Sequence, residues 1–133
     1  MSTINFIIWG IGDIIMVMNE SAEDYLETIL MLSKVLPVVR AVDIAAEMGF
    51  KKSSVSVAMK HLREQNHITV NDSGFISLTD SGRKIAEMIY ERHEVIMKVL
   101  EKLGVPKKIA SEDACKIEHY LSEESFAAIK KAI

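Results

Sequence analysis

The chain has 133 residues, of which 49% are hydrophobic and 26% are charged, and it contains only six glycines and two prolines. This composition excludes a disordered, collagen-like or low-complexity chain, and the length fits one compact domain or two small ones that share a core. Aromatic residues make up only 6% of the chain, which favours helices over a β-sandwich. The single cysteine excludes a disulfide framework and indicates a reducing, cytoplasmic setting.

Charge is distributed unevenly along the chain. Residues 1–48 carry two basic and seven acidic side chains, whereas residues 49–84 carry six basic and three acidic ones. The rest of the chain is nearly balanced, with eight bases and nine acids. A basic segment in an otherwise acidic chain is typical of a domain that touches a polyanion at one place, although an ordinary solvated surface has the same composition.

Residues 1–17 are apolar but lack the positively charged start of a secretory signal. They are too short to span a bilayer and include Asp13, so we expect no membrane association. We interpret them as an N-terminal extension outside the core, produced by a start codon placed too early. A short strand or helix that packs on the domain or on a partner is the alternative.

Three helices are predicted in the first half of the chain. The first has Ser21 as its N-cap and ends at Pro37, and the third opens at Ser53 and runs to about Gln65. The second covers about residues 41–48 and ends at Gly49. It is expected to bury four side chains, those of Val42, Ile44, Ala45 and Met48.

After the third predicted helix, the spacing of hydrophobic residues changes from the helical pattern to every second residue. Residues 67–70 and 75–78 are β-prone and flank a turn at 71–74, which predicts a hairpin. Thr79 is the predicted cap of a long helix that ends near Leu103, and further helices are predicted to begin at Ser111 and Ser122. The sequence therefore predicts a mainly α protein: an extension (1–17), a winged helix-turn-helix DNA-binding domain (18–82) and a helical domain (83–133).

The third helix is the predicted DNA-reading element. A helix-turn-helix needs a tight turn, which Gly49 permits, so that its second helix enters the major groove. Hydroxyls and lysines at a helix N-terminus suit phosphate contacts, whereas the usual bidentate base readers Arg, Asn and Gln are absent from its first turns. The predicted DNA-binding residues are Lys51, Lys52, Ser53, Ser54, Ser56, Val57, Lys60 and Arg63.

A second pattern has the residue types of a metal site. Cys115, Glu118 and His119 are spaced i, i+3 and i+4, which would place them on one side of a helix. A thiolate, a carboxylate and an imidazole supply half the shell of a transition metal. The other candidate ligands are Asp24, Glu27 and His93. Each also has an ordinary interpretation, such as a helix-start charge, a buried thiol or a surface pair.

Four segments, in order, are together similar to the diphtheria toxin repressor and manganese transport regulator family: Glu23–Ile29, Ser53–Ser56, Leu78–Gly82 and Cys115–His119. The resemblance covers about residues 19–133. It implies a homodimeric winged-helix repressor whose affinity for double-stranded operator DNA rises when Mn(II) or Fe(II) binds between its DNA-binding and dimerisation helices. The second domain is then the metal-binding and dimerisation domain.

The resemblance also assigns ligands residue by residue. Asp24 and Glu27 resemble the first-helix ligands of the manganese-sensing branch, His93 resembles the long-helix histidine, and Glu118 with His119 resembles the shared Glu-His pair. Cys115 stands where the iron-sensing branch has cysteine and the manganese regulator has glutamate, so the set is a hybrid.

Two further features of the family are expected to be missing from this chain. Met97 and Ser111 stand where the iron-type ancillary site has a carboxylate and a histidine, so no such site is expected. The SH3-like domain of the family is likewise expected to be absent, because the chain stops at Ile133.

Three hypotheses follow from these patterns. The leading one is a cytoplasmic, metal-dependent repressor of metal-uptake genes, and the second is a winged-helix regulator without metal control. The third is a small metalloenzyme, against which the sequence offers no His-Glu-x-x-His motif and no nucleophile–base pair. We therefore predict a regulator and not an enzyme. Residues 105–133 carry more apolar surface than two short helices can bury against one long helix, which favours a homodimer.

Overall fold

The structure is a computed structural model that describes residues 20–133, and this part of the chain forms six helices and one hairpin. Helix α1 covers residues 20–35. The elements that follow are α2 (Ala41–Met48), α3 (Lys52–Glu64), β1 (Ile68–Val70), β2 (Ile76–Leu78), α4 (Asp80–Lys102), α5 (Lys107–Ile117) and α6 (Glu123–Ala132). The predicted mainly α winged helix-turn-helix architecture is confirmed. The prediction for residues 1–17 lies outside the described residues.

The chain divides into two compact units, an amino-terminal unit that ends at Ala86 and a carboxy-terminal unit that begins at Glu87. Helix α4 starts in the first unit and continues into the second. No helix within residues 20–133 is both long enough and apolar enough to cross a bilayer.

The core of the amino-terminal unit is built from one apolar stripe on each helix. The stripes recur at three- and four-residue steps, as expected where a helix presents one face to a core. Each fully buried leucine or isoleucine contributes about 1.5–3 kcal/mol to folding. The principal buried side chains are those of Tyr25, Leu26, Ile29, Leu30, Ile44, Val55, Met59, Leu62, Ile68 and Ile76.

A three-residue turn joins α2 to α3. Gly49 adopts a left-handed conformation with φ of 69°, which a residue with a Cβ rarely adopts, and its N–H donates to the Ala45 carbonyl at 3.0 Å. The Phe50 N–H donates to the same carbonyl at 3.2 Å. Helix α2 therefore ends at Met48, where the sequence predicts, and three residues separate it from the start of α3 at Lys52.

The hairpin is a short antiparallel pair in which Ile68 faces Leu78 and Val70 faces Ile76. Its turn is closed by the Asn71 side chain, whose Oδ1 accepts hydrogen bonds from the N–H groups of Ser73 and Phe75. The Ile76 N–H donates to the Val39 carbonyl at 2.8 Å, which attaches the hairpin to the segment before α2. The predicted wing is present.

The start of α4 is held against the end of α3. The Thr79 and Ser81 hydroxyls both donate to the Asn66 carbonyl, at 2.7 and 3.1 Å. Thr79 also caps α4, because its Oγ1 accepts the Gly82 N–H at 3.2 Å. Gly82 lies so close to the His67 backbone that a Cβ would be 2.0 Å from the His67 carbonyl oxygen. The junction therefore requires glycine at this position.

Two predictions about the first helices are wrong. Helix α1 is already formed at residue 20, so Ser21 lies inside it and is not its N-cap. Val42, which was expected to face inward, is 48% exposed, because Ile44 and Ala45 alone provide the buried face of α2.

Two predicted helix starts are also displaced. Helix α3 begins at Lys52 after an uncapped Lys51, so Ser53 lies in its first turn and makes no cap. Helix α5 begins at Lys107 and not at Ser111, because Pro106, with φ of −57°, occupies the N-cap position and its ring presets the dihedral angle for helix entry.

The carboxy-terminal unit consists of most of α4 with α5 and α6. Its interior contains Ile89, Ile96, Ala110 and Ala114, whereas none of the residues of α6 is buried. Ser122 caps α6 as predicted, since its Oγ accepts the Ser125 N–H at 3.1 Å. Helix α6 therefore rests on this unit through half-buried side chains.

We predict that Gly82→Ala destabilises the protein by about 1–3 kcal/mol, because the new methyl group meets a backbone carbonyl that cannot move freely. The direction of the change in unfolding free energy is informative, since a Gly→Ala substitution inside an unobstructed helix stabilises a protein by roughly 1 kcal/mol. Urea unfolding measures the effect. Lys84→Ala, on an exposed position of the same helix, is the control and should change stability by no more than about 0.5 kcal/mol.

Candidate metal centre and nucleic-acid interface

One side of α3 is buried and the opposite side is exposed. Val55, Met59 and Leu62 lie at steps of four and three residues and are inside the core. The residues predicted to contact DNA are all exposed: Lys51, Lys52, Ser53, Ser54, Ser56, Val57, Lys60 and Arg63. The side of α3 that carries the cationic and hydroxyl groups is therefore free to meet a ligand from solvent.

The electrostatics of α3 suit a polyanion. Its first turn contains no acidic residue, so the exposed N–H groups of its N-terminus keep their partial positive charge. A further cation, not predicted from the sequence, lies beside the hairpin: the guanidinium of Arg40, the N-cap residue of α2, is 4.8 Å from the centre of the Phe75 ring at the turn of the wing. Arg40 and Phe75 are far apart in the sequence, and no periodic pattern predicts their contact. The hydrogen bond from the Ile76 N–H to the Val39 carbonyl brings their neighbouring residues together.

Three of the predicted metal ligands meet within the carboxy-terminal unit. His93 Nδ1 lies 2.9 Å from Glu118 Oε2 and 3.7 Å from Cys115 Sγ. The donor atoms of these three residues all lie within 4.8 Å of one another. His119 is next to this cluster, with its Nε2 3.5 Å from Glu118 Oε1. We call His93, Cys115 and Glu118 the α4–α5 cluster.

Glu118 is the unusual member of the cluster. It has no exposed surface, and its Oε1 has no hydrogen-bond partner although it is buried. A buried carboxylate oxygen without a hydrogen bond is unfavourable by several kcal/mol unless a cation compensates it. Cys115, by contrast, is exposed, so the cluster extends from the interior to the surface.

The neighbours of His93 change its proton affinity. Hydrogen bonds to Cys115 and to Glu118 raise the pKa of His93 to about 10, against a smaller opposing effect of burial. In the metal-free protein the imidazole is therefore protonated at neutral pH, with its Nδ1 in contact with the Glu118 carboxylate. A ligating imidazole must be neutral, so a metal held by His93 would displace this proton.

The donor set fits a divalent transition metal. A thiolate, an imidazole and a carboxylate are ligands that Mn(II), Fe(II) and Zn(II) accept, and Glu118 Oε1 offers a lone pair that no donor in the described residues uses. Asp24 and Glu27, the remaining predicted ligands, lie on α1 in the amino-terminal unit, half-buried and one helical turn apart.

The local structure around Glu118 differs from the prediction in one respect. Helix α5 ends at Ile117, so Glu118 is its C-cap and His119 lies in the following turn. Glu118 keeps helical dihedral angles of −57° and −29°, and its side chain therefore still follows the turn that carries Cys115. Arg92 was not predicted from the sequence to belong to the site, but its guanidinium is buried beside this turn and donates to the Glu118 carbonyl.

A winged helix-turn-helix unit with an exposed cationic helix, followed by a helical unit whose histidine, cysteine and glutamate form a candidate metal site, defines a class of protein: the metal-responsive DNA-binding regulators. Two family models agree with this class. Residues 17–74 match the N-terminal DNA-binding domain of the iron-dependent repressors, and residues 79–133 match their metal-binding and dimerisation domain. The chain belongs to the iron-dependent repressor family.

Individual relatives support the assignment. The chain is 34% identical over 115 residues to the HTH-type transcriptional regulator MJ0568 of Methanocaldococcus jannaschii, covering 85% of this chain and 92% of the relative. It is 34% identical over 112 residues to the transcriptional regulator MntR of Escherichia coli O157:H7, covering 84% and 72%. The structure also matches a manganese-dependent transcriptional repressor in complex with manganese, with a TM-score of 0.76 and 29% identity over 84% of this chain. The chain spans about half the length of that solved protein.

These comparisons confirm the resemblance inferred from the sequence. The chain is a metal-dependent transcriptional repressor with a DNA-binding and a dimerisation domain. The family consists of DNA-binding regulators, which confirms the prediction of a regulator and removes the metalloenzyme hypothesis.

We predict that the double substitution of Lys52 and Lys60 by Ala weakens binding to all DNA sequences alike. Each lysine that neutralises a phosphate displaces one counterion, so the slope of log K against log salt should fall by about 2 for each subunit that contacts the DNA. Fluorescence anisotropy from 50 to 300 mM salt measures this slope for two unrelated duplexes.

The matched control is Lys107→Ala with Lys108→Ala, which removes the same net charge from exposed positions of α5. This control should leave the slope nearly unchanged. An unaltered slope in the α3 variant would show that another element contacts the phosphates.

Proposed function

We propose that this chain acts in the cytoplasm as a homodimeric repressor of metal-uptake genes and binds its operator when Mn(II) or Fe(II) occupies the α4–α5 cluster. The observation that carries the proposal is the buried Glu118 carboxylate, which has one oxygen on His93 and the other without a hydrogen bond. Such a carboxylate fits a resident cation better than it fits a purely structural role.

The complete ligand set proposed here is Asp24, Glu27, His93, Cys115, Glu118 and His119. Three of these are carboxylates, which are hard ligands and suit Mn(II) and Fe(II), whereas the single thiolate is soft. In the cell, metal availability selects among these ions, because Zn(II) binds most nitrogen, oxygen and sulfur sites more tightly in isolation. When bound, the ion supplies positive charge and fixed coordination geometry.

Control of DNA binding follows from where the proposed ligands lie in the chain. Asp24 and Glu27 belong to the unit that carries α3, whereas the α4–α5 cluster belongs to the other unit. Shared coordination by both sets would favour one arrangement of the two recognition helices of a dimer. The metal then raises DNA affinity only through its higher affinity for that arrangement.

We predict that Glu118→Gln abolishes metal-dependent DNA binding and leaves weak, salt-sensitive binding in place. The amide keeps the size of the side chain but cannot compensate a divalent cation. A duplex is first selected from a random library with the wild-type protein and Mn(II) under anaerobic conditions. Affinity for this duplex is then measured with Mn(II) and with chelator, and the wild-type ratio should lie between about 5-fold and 150-fold.

Glu112→Gln is the matched control, because it makes the same chemical change at an exposed position of α5. It should retain the full response to Mn(II). Strong, selective binding of the duplex by the Glu118→Gln variant in chelator would instead identify a winged-helix regulator without metal control.

Cys115 is predicted to set the preference among metals. Cys115→Glu should keep a working switch and move the preference from Zn(II) and Fe(II) towards Mn(II), because a hard ligand replaces the one soft ligand. Cys115→Ser, which removes the thiol without adding a charge, should weaken the binding of all four ions tested: Mn(II), Fe(II), Co(II) and Zn(II). An unchanged order of affinities in Cys115→Glu would remove Cys115 from the ligand set.

A further inference from the structure

Arg92 occupies an unusual place in the carboxy-terminal unit. It is next to His93 on α4 and is only 6% exposed, although arginine is seldom buried without a charged partner. The contacts of its guanidinium are with backbone carbonyls and an aromatic ring: NH1 donates to the Glu118 carbonyl at 3.1 Å and to the Leu121 carbonyl, and Cζ lies 5.3 Å from the centre of the Phe126 ring.

These contacts connect three parts of the unit. Glu118 is the C-cap of α5, Leu121 lies in the connection between the helices, and Phe126 lies on α6. Carbonyl groups at the end of a helix have no intrahelical partner and carry partial negative charge, so a cation at that place is favourable. A single side chain thus closes the end of α5 and contacts the helix that follows it.

Glu118 is consequently held at two points by adjacent residues of α4. His93 contacts its carboxylate at 2.9 Å, and Arg92 contacts its backbone carbonyl. The carboxylate cannot shift along the cluster unless the residue 118–121 backbone shifts as well. Groups that orient a metal ligand in this way typically change metal affinity by 10- to 100-fold when they are removed.

Helix α6 contains no buried residue, and its ion pair with α4, between Lys130 and Glu91, is exposed. Surface pairs of this kind contribute little to stability. The contact between the Arg92 guanidinium and the Phe126 ring is more enclosed, because Arg92 is buried and Phe126 is half-buried. This contact is therefore the better candidate for positioning α6.

We propose that Arg92 is a positioning residue that places Glu118 for metal binding and couples the occupancy of the α4–α5 cluster to the docking of α6. The inference rests on the proposed function, because it assumes that Glu118 is a metal ligand. Lysine cannot substitute for arginine here: its compact ammonium does not provide the flat face that stacks on Phe126 while bonding two carbonyls.

The experiment compares Arg92→Lys with two controls that share its surroundings. Glu91→Gln breaks the ion pair that Glu91 of α4 makes with Lys130 of α6, and Lys98→Ala removes an exposed charge from the same helix. Two quantities are measured: Mn(II) affinity by anaerobic titration, and amide hydrogen exchange of residues 118–132 in the metal-free and Mn(II)-loaded protein.

Arg92→Lys should weaken Mn(II) binding by about 10-fold or more. It should also speed exchange in residues 118–126 of the metal-free protein by about 10-fold, because charge-assisted hydrogen bonds are lost. Added Mn(II) should slow exchange in α6 of the wild type but not of the variant. Both controls should resemble the wild type in affinity and in their response to Mn(II).

A second variant tests the contact with α6 separately from the positioning of Glu118. It also keeps the proposal testable if Arg92→Lys fails to fold. Phe126→Leu leaves both carbonyl bonds of Arg92 in place, so it should keep Mn(II) affinity within about 3-fold while losing the protection of α6. Wild-type affinity and exchange in Arg92→Lys would overturn the proposal, as would a Glu91→Gln variant with the same losses. Absence of Mn(II) binding by the wild type would overturn the proposed function and the coupling to α6 together. Wild-type exchange in metal-free Arg92→Lys would instead overturn the role of Arg92 while leaving the proposed function intact.

Discussion

The carboxy-terminal unit is organised around a fully buried carboxylate, that of Glu118. A carboxylate removed from water is unfavourable unless a cation and hydrogen bonds replace its hydration. In the metal-free protein the protonated His93 supplies that compensation at Oε2, whereas Oε1 has His119 Nε2 at 3.5 Å but no hydrogen bond. The proposed metal site therefore includes a buried carboxylate oxygen whose hydration is not fully replaced. A divalent cation bound there would complete the compensation.

The position of Glu118 at the end of α5 adds a second constraint. The carboxyl end of a helix carries partial negative charge, which is unfavourable for an acidic side chain. Arg92 offsets this field at the backbone, and His93 offsets it at the side chain, so two successive residues of α4 hold one residue of α5. The same guanidinium then continues to Phe126, which brings α6 into the network. In this unit the side chain that holds the backbone of Glu118, a proposed metal ligand, is therefore also the one that contacts helix α6.

Local rules in the sequence predict much of this architecture, and their failures have physical causes. Gly49, Thr79 and Ser122 end or begin helices as expected, because each makes a short-range bond that depends on its own neighbours. Ser21, Ser53 and Ser111 have the same capping chemistry but lie inside helices, since proline geometry or tertiary packing sets those helix starts instead. The spacing of Cys115, Glu118 and His119 predicted these residues as candidate ligands. The role of Arg92 was not predicted, because a buried arginine bonded to carbonyls leaves no periodic pattern.

The residues of the α4–α5 cluster differ in burial. Substitutions at its buried and exposed positions should therefore have different effects on folding and on metal preference. Glu118 is fully enclosed and bonded through both its side chain and its backbone, so a change there disturbs the interior as well as the ligand set. Cys115 is exposed, and its Sγ lies 3.7 Å from His93 Nδ1, so a replacement at this position changes a proposed ligand with little effect on packing. In the proposed ligand set, the exposed position 115 is therefore where the preference between a soft and a hard ion would change, while the buried Glu118 carboxylate would keep the response to a divalent cation.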